Sequence, residues 1–189
     1  LLTPLIAETY HDLGIGVTFD TSHGTLVASR IAYGDSMADQ LSNGLLEPAC
    51  LLVDIPIFYK DHSGRNCTLR ESDVIELLNN FIPTHRDVKI FNLSFGNYSP
   101  ISDYSISPLA HELDSLSKKY DVLFVVAAGN IPHNSPYDWS TFPAYKGSAN
   151  SRINAPAESL LSVSVGSYAT HQETVDIANP MSLSPFSRN

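Results

Sequence analysis

The 189-residue sequence has few basic residues and no long apolar run. Lys and Arg number 11 against 20 Asp and Glu, which gives a net charge of −9, and no cluster of basic residues occurs. Because an acidic surface repels phosphate backbones, we expect no nucleic-acid partner. No apolar stretch approaches the ~20 residues of a membrane-spanning helix, so we expect no membrane span in this chain.

Cysteine and the common cofactor motifs are also scarce. The 2 cysteines, Cys50 and Cys67, have a spacing that fits neither a zinc site nor a redox pair. We expect free thiols, with a disulfide between them as the alternative. The sequence contains no His-Glu-x-x-His motif, the commonest signature of zinc hydrolases. No Gly-x-Gly-x-x-Gly or Gly-x-x-x-x-Gly-Lys follows an apolar run, which argues against a flavodoxin-like or Rossmann nucleotide binder.

The composition is typical of a folded protein. Apolar residues make up 43% and charged residues 16% of a chain long enough to bury one continuous core. We therefore expect a single domain over residues 1–189. Four apolar runs are too short for helices and predict strands covered on both faces: residues 50–58, 88–95, 122–128 and 160–165.

Three other segments have the features of helices. Thr68-Leu69-Arg70-Glu71 matches a capping box, Ser107-Pro108 matches an N-cap and first turn, and a third helix is expected to begin at His23. Their apolar stripes are Val74, Leu77, Leu78 and Phe81; Leu109, Leu113, Leu116 and Tyr120; and Val27, Ala28, Ile31 and Ala32. The alternation of helices and strands predicts the α/β class, as a three-layer α/β/α sandwich with a mostly parallel sheet.

The carboxyl ends of the predicted strands are the expected place for a site. Ligands bind outside these ends in open α/β sheets, and Gly96 and Asn130 both follow predicted strands. The proline-rich segment 131–156 predicts an irregular loop at the surface near the same ends. The predicted fold and the candidate residues therefore indicate a site at the same place, the carboxyl-terminal edge of the sheet.

A histidine at the start of a predicted helix is a candidate general base. In Ser22-His23-Gly24-Thr25, His23 lies in the first turn, where free N–H groups and the helix dipole disfavour the imidazolium form. Gly24 has no side chain and lets a substrate approach closely. The alternative is a structural histidine that opens a helix.

Two strand ends supply candidate substrate-binding residues. The end of the second strand can accept an extended peptide as one more strand, and the third strand ends in small residues followed by Asn130, whose amide can donate to an oxyanion. The structural alternatives are a core strand that ends in a glycine turn and an Asn that caps a turn. The candidate substrate-binding residues are Leu93, Ser94, Phe95, Gly96, Ala127, Ala128 and Gly129.

In their order along the chain, the histidine motif and the two strand-end motifs resemble those of the subtilisin-like serine peptidases, the subtilases of the peptidase S8 family. Residues 22–34 are similar to the family's His-Gly-Thr-x-Val-Ala helix, and residues 156–166 to the stretch that leads into its Val-x-Ala-Val-Gly-Ala strand. Residues 185–189 resemble its Phe-Ser-x-x-Gly turn. The resemblance covers residues 20–189 and implies a subtilisin-like fold and an internal fragment of the catalytic domain.

The resemblance implies a serine endopeptidase that cleaves polypeptide substrates with an Asp-His-Ser triad. It makes His23 the general base and Asn130 the oxyanion donor, and it gives residues 93–96 and 127–129 to the substrate edge and pocket wall. The triad aspartate is expected before residue 1 and the serine after residue 189, so the isolated chain is expected to be inactive. No cofactor is required, and although structural calcium is common in the family, no loop here has a recognisable ligand set.

Two short sequences resemble the missing triad motifs superficially. Asp12-Leu13-Gly14 lies too near His23 and follows no apolar strand, and Gly147-Ser148-Ala149 lacks the residues that follow the family's nucleophile. An incomplete triad leaves a second functional reading, a pseudopeptidase that binds peptides without cutting them. The sequence indicates neither localisation nor oligomeric state.

Overall fold

The computed structural model describes residues 6–10, 18–19, 22–97, 99–132, 139–170 and 178–189. The chain divides into two compact units, Leu1–Leu77 and Leu78–Asn189, called here the N-terminal unit and the C-terminal unit. The single domain expected from the sequence stays a prediction. No described helix has the length and apolar character needed to cross a membrane.

The described residues of the N-terminal unit form two small sheets, two complete helices and the start of a third helix. Strands β1 and β3 pair in parallel, with Thr9 opposite Asp54, whereas β2, β4 and β5 form an antiparallel sheet in which Phe58 is opposite Thr68. A 3-10 turn, Gly34–Ser36, links the two helices. The elements are β1 Ile6–Thr9, β2 Thr18–Phe19, α1 Ser22–Tyr33, α2 Met37–Ser42, β3 Leu52–Asp54, β4 Phe58–Lys60 and β5 Asn66–Thr68.

The first predicted strand, residues 50–58, is wrong as a single element. The segment forms β3 and the start of β4, and residues 55–57 between them belong to neither strand. Pro56 lies in this gap, and proline interrupts a strand ladder because it has no N–H to donate. The antiparallel sheet of β2, β4 and β5 was not predicted.

Helix α1 packs through part of the predicted stripe, in which Ala32 is buried and Val27 and Ala28 are half-buried. Ala32 and Tyr33 are buried, with Met37, Leu46 and Leu52 packed against them. Ile31, which the sequence placed in the apolar stripe, is 40% exposed. The predicted helix is therefore confirmed, and its predicted stripe is confirmed except at Ile31; Tyr33 is the buried residue that the stripe did not include.

The C-terminal unit is built on a parallel sheet in the order β6, β7, β8. Leu93 is opposite Val126, and Ala127 is opposite Val165. Helix α3, Glu71–Thr84, precedes this sheet in the chain and crosses the boundary of the two units. The other elements are β6 Ile90–Leu93, α4 Pro108–Tyr120, β7 Leu123–Ala127 and β8 Val163–Val165, with 3-10 turns at Trp139–Thr141, Ala144–Gly147 and Ala149–Ser151.

The predicted helices α3 and α4 are confirmed, with one correction. Ser107 caps α4 by accepting a hydrogen bond from the N–H of Ala110, at 3.2 Å, and Pro108 is the first helical residue. Thr68 is the last residue of β5 and α3 begins at Glu71, so the predicted capping box does not cap this helix. Tyr120 is half-buried. The other predicted apolar residues of both helices are buried: Val74, Leu77, Leu78, Phe81, Leu109, Leu113 and Leu116.

Within the C-terminal unit, the described residues cover the sheet on one face, not on both as predicted. Phe91, Leu93, Phe124 and Val126 are buried, and the ring of Phe91 lies 5.2 Å from that of Phe124. Residues of the opposite face are exposed: Ile90 in β6 is 67% exposed, and Val163 and Val165 in β8 are 48% and 49% exposed. Continuous apolar sequence therefore does not require burial on both faces. The expected α/β fold with parallel strand pairing is confirmed.

Candidate active site

His23 is the second residue of α1 and is exposed. The edge of its ring meets the ring of Phe58 in β4, with the centroids 5.7 Å apart and the planes at 86°. Edge-to-face contacts of this kind favour one ring orientation. The predicted position of His23 at the start of a helix is confirmed, and the contact with Phe58 was not predicted because nothing in the local sequence indicates it.

The end of β6 brings the first group of candidate substrate-binding residues to the sheet edge. Leu93 is buried, Ser94 and Phe95 are half-buried, and Gly96 is exposed. A Cβ on Gly96 would lie 2.9 Å from the carbonyl oxygen of Ala155, which also accepts a hydrogen bond from the N–H of Asn97 at 3.1 Å. This close approach of two backbones requires a glycine at position 96.

The end of β7 has an even closer contact. Gly129 has φ of +96°, and a Cβ there would lie 2.7 Å from Nδ2 of Asn154. The N–H of Asn154 donates to the carbonyl of Ala128 at 2.9 Å, and the N–H of Ala128 donates to the carbonyl of Val165 at 2.8 Å. The turn after β7 is therefore packed against residue 154 and tied to β8, and Gly129 is required by both its conformation and its surroundings.

Asn130 follows this turn, with its backbone held and its side chain exposed. It pairs with Ser187 in an antiparallel bridge, and the N–H of Ile131 donates to the carbonyl of Phe186 at 2.7 Å. Within the described part of the chain, the Asn130 side-chain amide makes no hydrogen bond. A donor with a fixed backbone and no such partner can serve a bound substrate.

Residues after β7 were predicted to form a surface loop, and this expectation is wrong in part. The described portions, 131–132 and 139–156, are irregular as expected, but Ile131, Tyr145, Ser151 and Asn154 are buried. The hydroxyl of Tyr145 donates to the carbonyl of Pro185 at 2.8 Å. Proline content indicated irregular structure correctly, but it carries no information about burial.

Two site-supporting residues were missed by sequence reasoning, Asn154 and Arg188. Arg188 is 4% exposed, and its Nε donates to the carbonyl of Asn130 at 3.0 Å. The resemblance of residues 185–189 to a family turn was a signal that this segment matters, although it gave no role to Arg188. Nothing in the sequence around Asn154 indicated its contact with Gly129.

Lys146 adds a second cation near Arg188. Its Nζ donates to the carbonyl of Ser187. Burial, and then the charge of Arg188, lower the pKa of Lys146 from 10.5 to about 8. The segment that pairs with Asn130 is therefore fixed by side chains from elsewhere in the unit.

The predicted site residues fall into two groups. Those from Leu93 to Gly96 and from Ala127 to Asn130 lie together in the C-terminal unit, because β6 and β7 are paired neighbours. His23 lies in the N-terminal unit.

Several sequence candidates have other outcomes. The hydroxyl of Ser148 accepts a hydrogen bond from the N–H of Asn150 at 3.1 Å and caps a 3-10 turn, which agrees with a structural role. Residues 1–5 and Asp12-Leu13-Gly14 lie outside the described residues. Cys50 and Cys67 are free thiols, as expected. Among the described residues, no group of three or more His, Cys, Asp or Glu side chains could hold a metal ion.

Comparisons with known proteins agree on the family and the fold. Among solved structures, the chain is similar to a serine-to-alanine mutant of the protease domain of PatA, with a TM-score of 0.60 and 20% identity. The match covers 97% of this chain and 55% of that chain, so this chain spans about half the length of that structure. No curated protein sequence matches. Residues 7–189 match the subtilase family, peptidase S8, and the chain therefore belongs to this family of serine peptidases.

Proposed function

We propose that this chain supplies the general base, the oxyanion donor and the substrate-binding edge of a serine endopeptidase. The observation that carries the proposal is the turn at residues 129–130. Its backbone is fixed by hydrogen bonds, and its exposed side-chain amide has no partner among the described residues. A fixed backbone places the Cα–Cβ bond of the donor before charge develops, which limits the reorganisation that stabilising an oxyanion requires.

In the proposed reaction, a serine hydroxyl from outside this chain attacks the scissile carbonyl carbon. His23 takes the hydroxyl proton, and the carbonyl oxygen becomes an oxyanion that accepts a hydrogen bond from the Asn130 amide. The C–N bond then breaks, and His23 gives its proton to the leaving amine. Water hydrolyses the acyl-enzyme by the same steps, with His23 again as the base. An aspartate outside this chain orients the imidazole.

The substrate lies along the end of β6 in this proposal. Leu93 to Gly96 provide the backbone edge for an extended polypeptide. Ala127 to Gly129 form the wall of the first specificity pocket, where their small side chains leave space. No cofactor takes part, and the isolated chain does not hydrolyse peptides because it lacks the serine and the aspartate.

Casein hydrolysis by the full-length protein tests the proposal. The unmodified protein is expected to cleave casein, and His23→Ala is expected to reduce turnover to background. His62→Ala is the matched control, because His62 is an exposed histidine in the turn between β4 and β5. Binding of casein without cleavage by the folded full-length protein would instead identify a pseudopeptidase.

A further inference from the structure

Arg188 contacts Asn130 from within the C-terminal unit. Its guanidinium is almost fully buried, and its Nη1 donates to the carbonyls of Asn150 at 2.7 Å and Arg152 at 3.0 Å, while its Nε donates to the carbonyl of Asn130. Burying a cation is costly, and hydrogen bonds to carbonyls offset that cost in part. The planar guanidinium thus bridges the turn after β7 and the segment 150–152.

The same residue also holds the preceding peptide group. The backbone N–H of Arg188 donates to the carbonyl of Gly129 at 3.1 Å. The carbonyls of Gly129 and Asn130 belong to the two peptide planes on either side of the Asn130 Cα, so Arg188 contacts both planes. The orientations of these planes set φ and ψ of Asn130 and with them the direction of its Cα–Cβ bond.

We propose that Arg188 is a positioning residue that aims the Asn130 amide at the oxyanion, an inference that rests on the proposed function. Displacement of a donor by about 1 Å can cost on the order of 10²-fold in rate. Arg188 does not touch the substrate and acts through Asn130. A lysine cannot replace it, because one ammonium group cannot reproduce the rigid fork that reaches the carbonyls of Asn130 and of residues 150 and 152 together.

The kinetic test compares Arg188→Lys with Arg86→Lys in the full-length protein. Arg86 is exposed and lies over the ring of Tyr120, away from Asn130, so its variant controls for the chemical change. Arg188→Lys is expected to lower kcat by about 10-fold or more with little change in KM, as expected for loss of a transition-state interaction. Arg86→Lys is expected to retain the kcat of the unmodified protein.

A double-mutant cycle separates positioning from a purely structural role. In the Asn130→Ala background, Arg188→Lys is expected to change kcat less than about 2-fold, because the group through which it acts is gone. If the effects of the two substitutions multiply, or if Arg188→Lys changes KM alone, the proposal is overturned. Should Arg188→Lys not fold, Arg188→Gln takes its place, and failure of both to fold would assign Arg188 a structural role only.

A readout independent of activity distinguishes this proposal from the proposed function. The NMR signals of the Asn130 side-chain amide, assigned by their loss in Asn130→Ala, are expected to shift in Arg188→Lys and not in Arg86→Lys. Unchanged signals would overturn the positioning role even in an active enzyme. Shifted signals in a protein that does not cleave casein would retain the positioning of Asn130 and reject the peptidase function.

Discussion

The two groups of candidate site residues are held in place by different means. In the N-terminal unit, His23 owes its position to the start of α1 and has an edge-to-face contact with Phe58. In the C-terminal unit, Asn130 is held through its backbone by residues 186–188, and the adjacent Gly129 packs against Asn154. His23 is placed by a helix start and one ring contact, whereas Asn130 is placed by several hydrogen bonds between its backbone and a segment far away in the chain.

This difference predicts that, around Asn130, different substitutions change turnover and folding stability. Around His23 we expect this distinction to be weaker. The Asn130 side chain is exposed, while the glycine before it is confined. Changes to the amide should therefore affect the reaction, and changes to the surrounding backbone should affect folding.

The largest expected effect is that of Asn130→Ala on turnover in the full-length protein. We expect kcat to fall by about 10²–10³-fold, the scale known for loss of one oxyanion donor in a subtilisin, which is this family's own example and not a value obtained from this structure. KM should stay near that of the unmodified protein, because the amide is expected to act in the transition state. The thermal midpoint should also stay unchanged, because the amide has no partner within the described residues. An unchanged kcat beside the control Asn80→Ala would remove Asn130 from this role.

The next largest effect is the loss of stability in Gly129→Ala. The positive φ and the contact with Asn154 together are expected to lower the free energy of unfolding by about 2–4 kcal/mol. Gly24→Ala in the motif of the other unit is the matched control. No atom lies within 4 Å of a Cβ at Gly24, so this change within α1 should instead stabilise the protein by about 0.5–1 kcal/mol. Equal effects in urea unfolding would contradict the comparison.

A smaller effect is expected from Asp114→Asn, which loosens the connection to β8. The Asp114 carboxylate accepts hydrogen bonds from Ser159 Oγ at 2.6 Å and from the N–H groups of Leu161 at 2.8 Å and Leu160 at 3.2 Å. Replacing a charged acceptor of this kind is expected to cost about 1–3 kcal/mol. Asp87→Asn, at an exposed position, is the control.

The Asp114 carboxylate also makes the stability of the folded protein depend on pH in the acidic range. Burial alone would raise the pKa of Asp114, but the hydrogen bonds from Ser159, Leu161 and Leu160 outweigh it and lower the pKa below 3.8. Because the folded-state pKa is the lower one, this contribution is fully present above the ordinary pKa and is lost as pH falls below it. Unfolding curves of Asp114→Asn should therefore lose less stability than those of the unmodified protein on acidification below pH 3.8. Parallel losses in both proteins would contradict this assignment.

The smallest predicted effect is a rise of stability with pH caused by Lys146. Its folded-state pKa of about 8 lies below the ordinary value of 10.5, so stability is higher above 10.5 and is lost as pH falls through about 8. Because Lys146 is half-buried, solvent screening keeps the effect small. Urea unfolding between pH 8 and pH 10 should show a flatter dependence for Lys146→Met than for the control Lys118→Met. Equal slopes would contradict the prediction.

Helix signals and motif positions were predictable from the sequence because they are local. Ser107 and Pro108 mark the start of α4, and the histidine motif marks the start of α1, since caps and first turns depend on a few consecutive residues. The strand ends that carry Gly96 and Asn130 were found for the same reason. The site residues themselves remain a proposal.

The contacts that fix the turn at Asn130 could not be predicted. Arg188 reaches Asn130 across 58 positions in sequence, and Tyr145 reaches Pro185 across 40. Hydrogen bonds from side chains to distant backbone carbonyls leave no periodic pattern in a sequence. The prediction that the strands are covered on both faces was wrong for a related reason. The apolar composition of β6 and β8 does not indicate which face a neighbouring element covers.

The most direct test of the account is labelling of the full-length protein with a fluorophosphonate, which reacts with an activated serine. The account predicts that the unmodified protein and His62→Ala are labelled and that labelling disappears in His23→Ala. A folded full-length protein that is not labelled, or one whose labelling is unaffected by His23→Ala, would contradict the claim that this chain carries the general base of a serine peptidase.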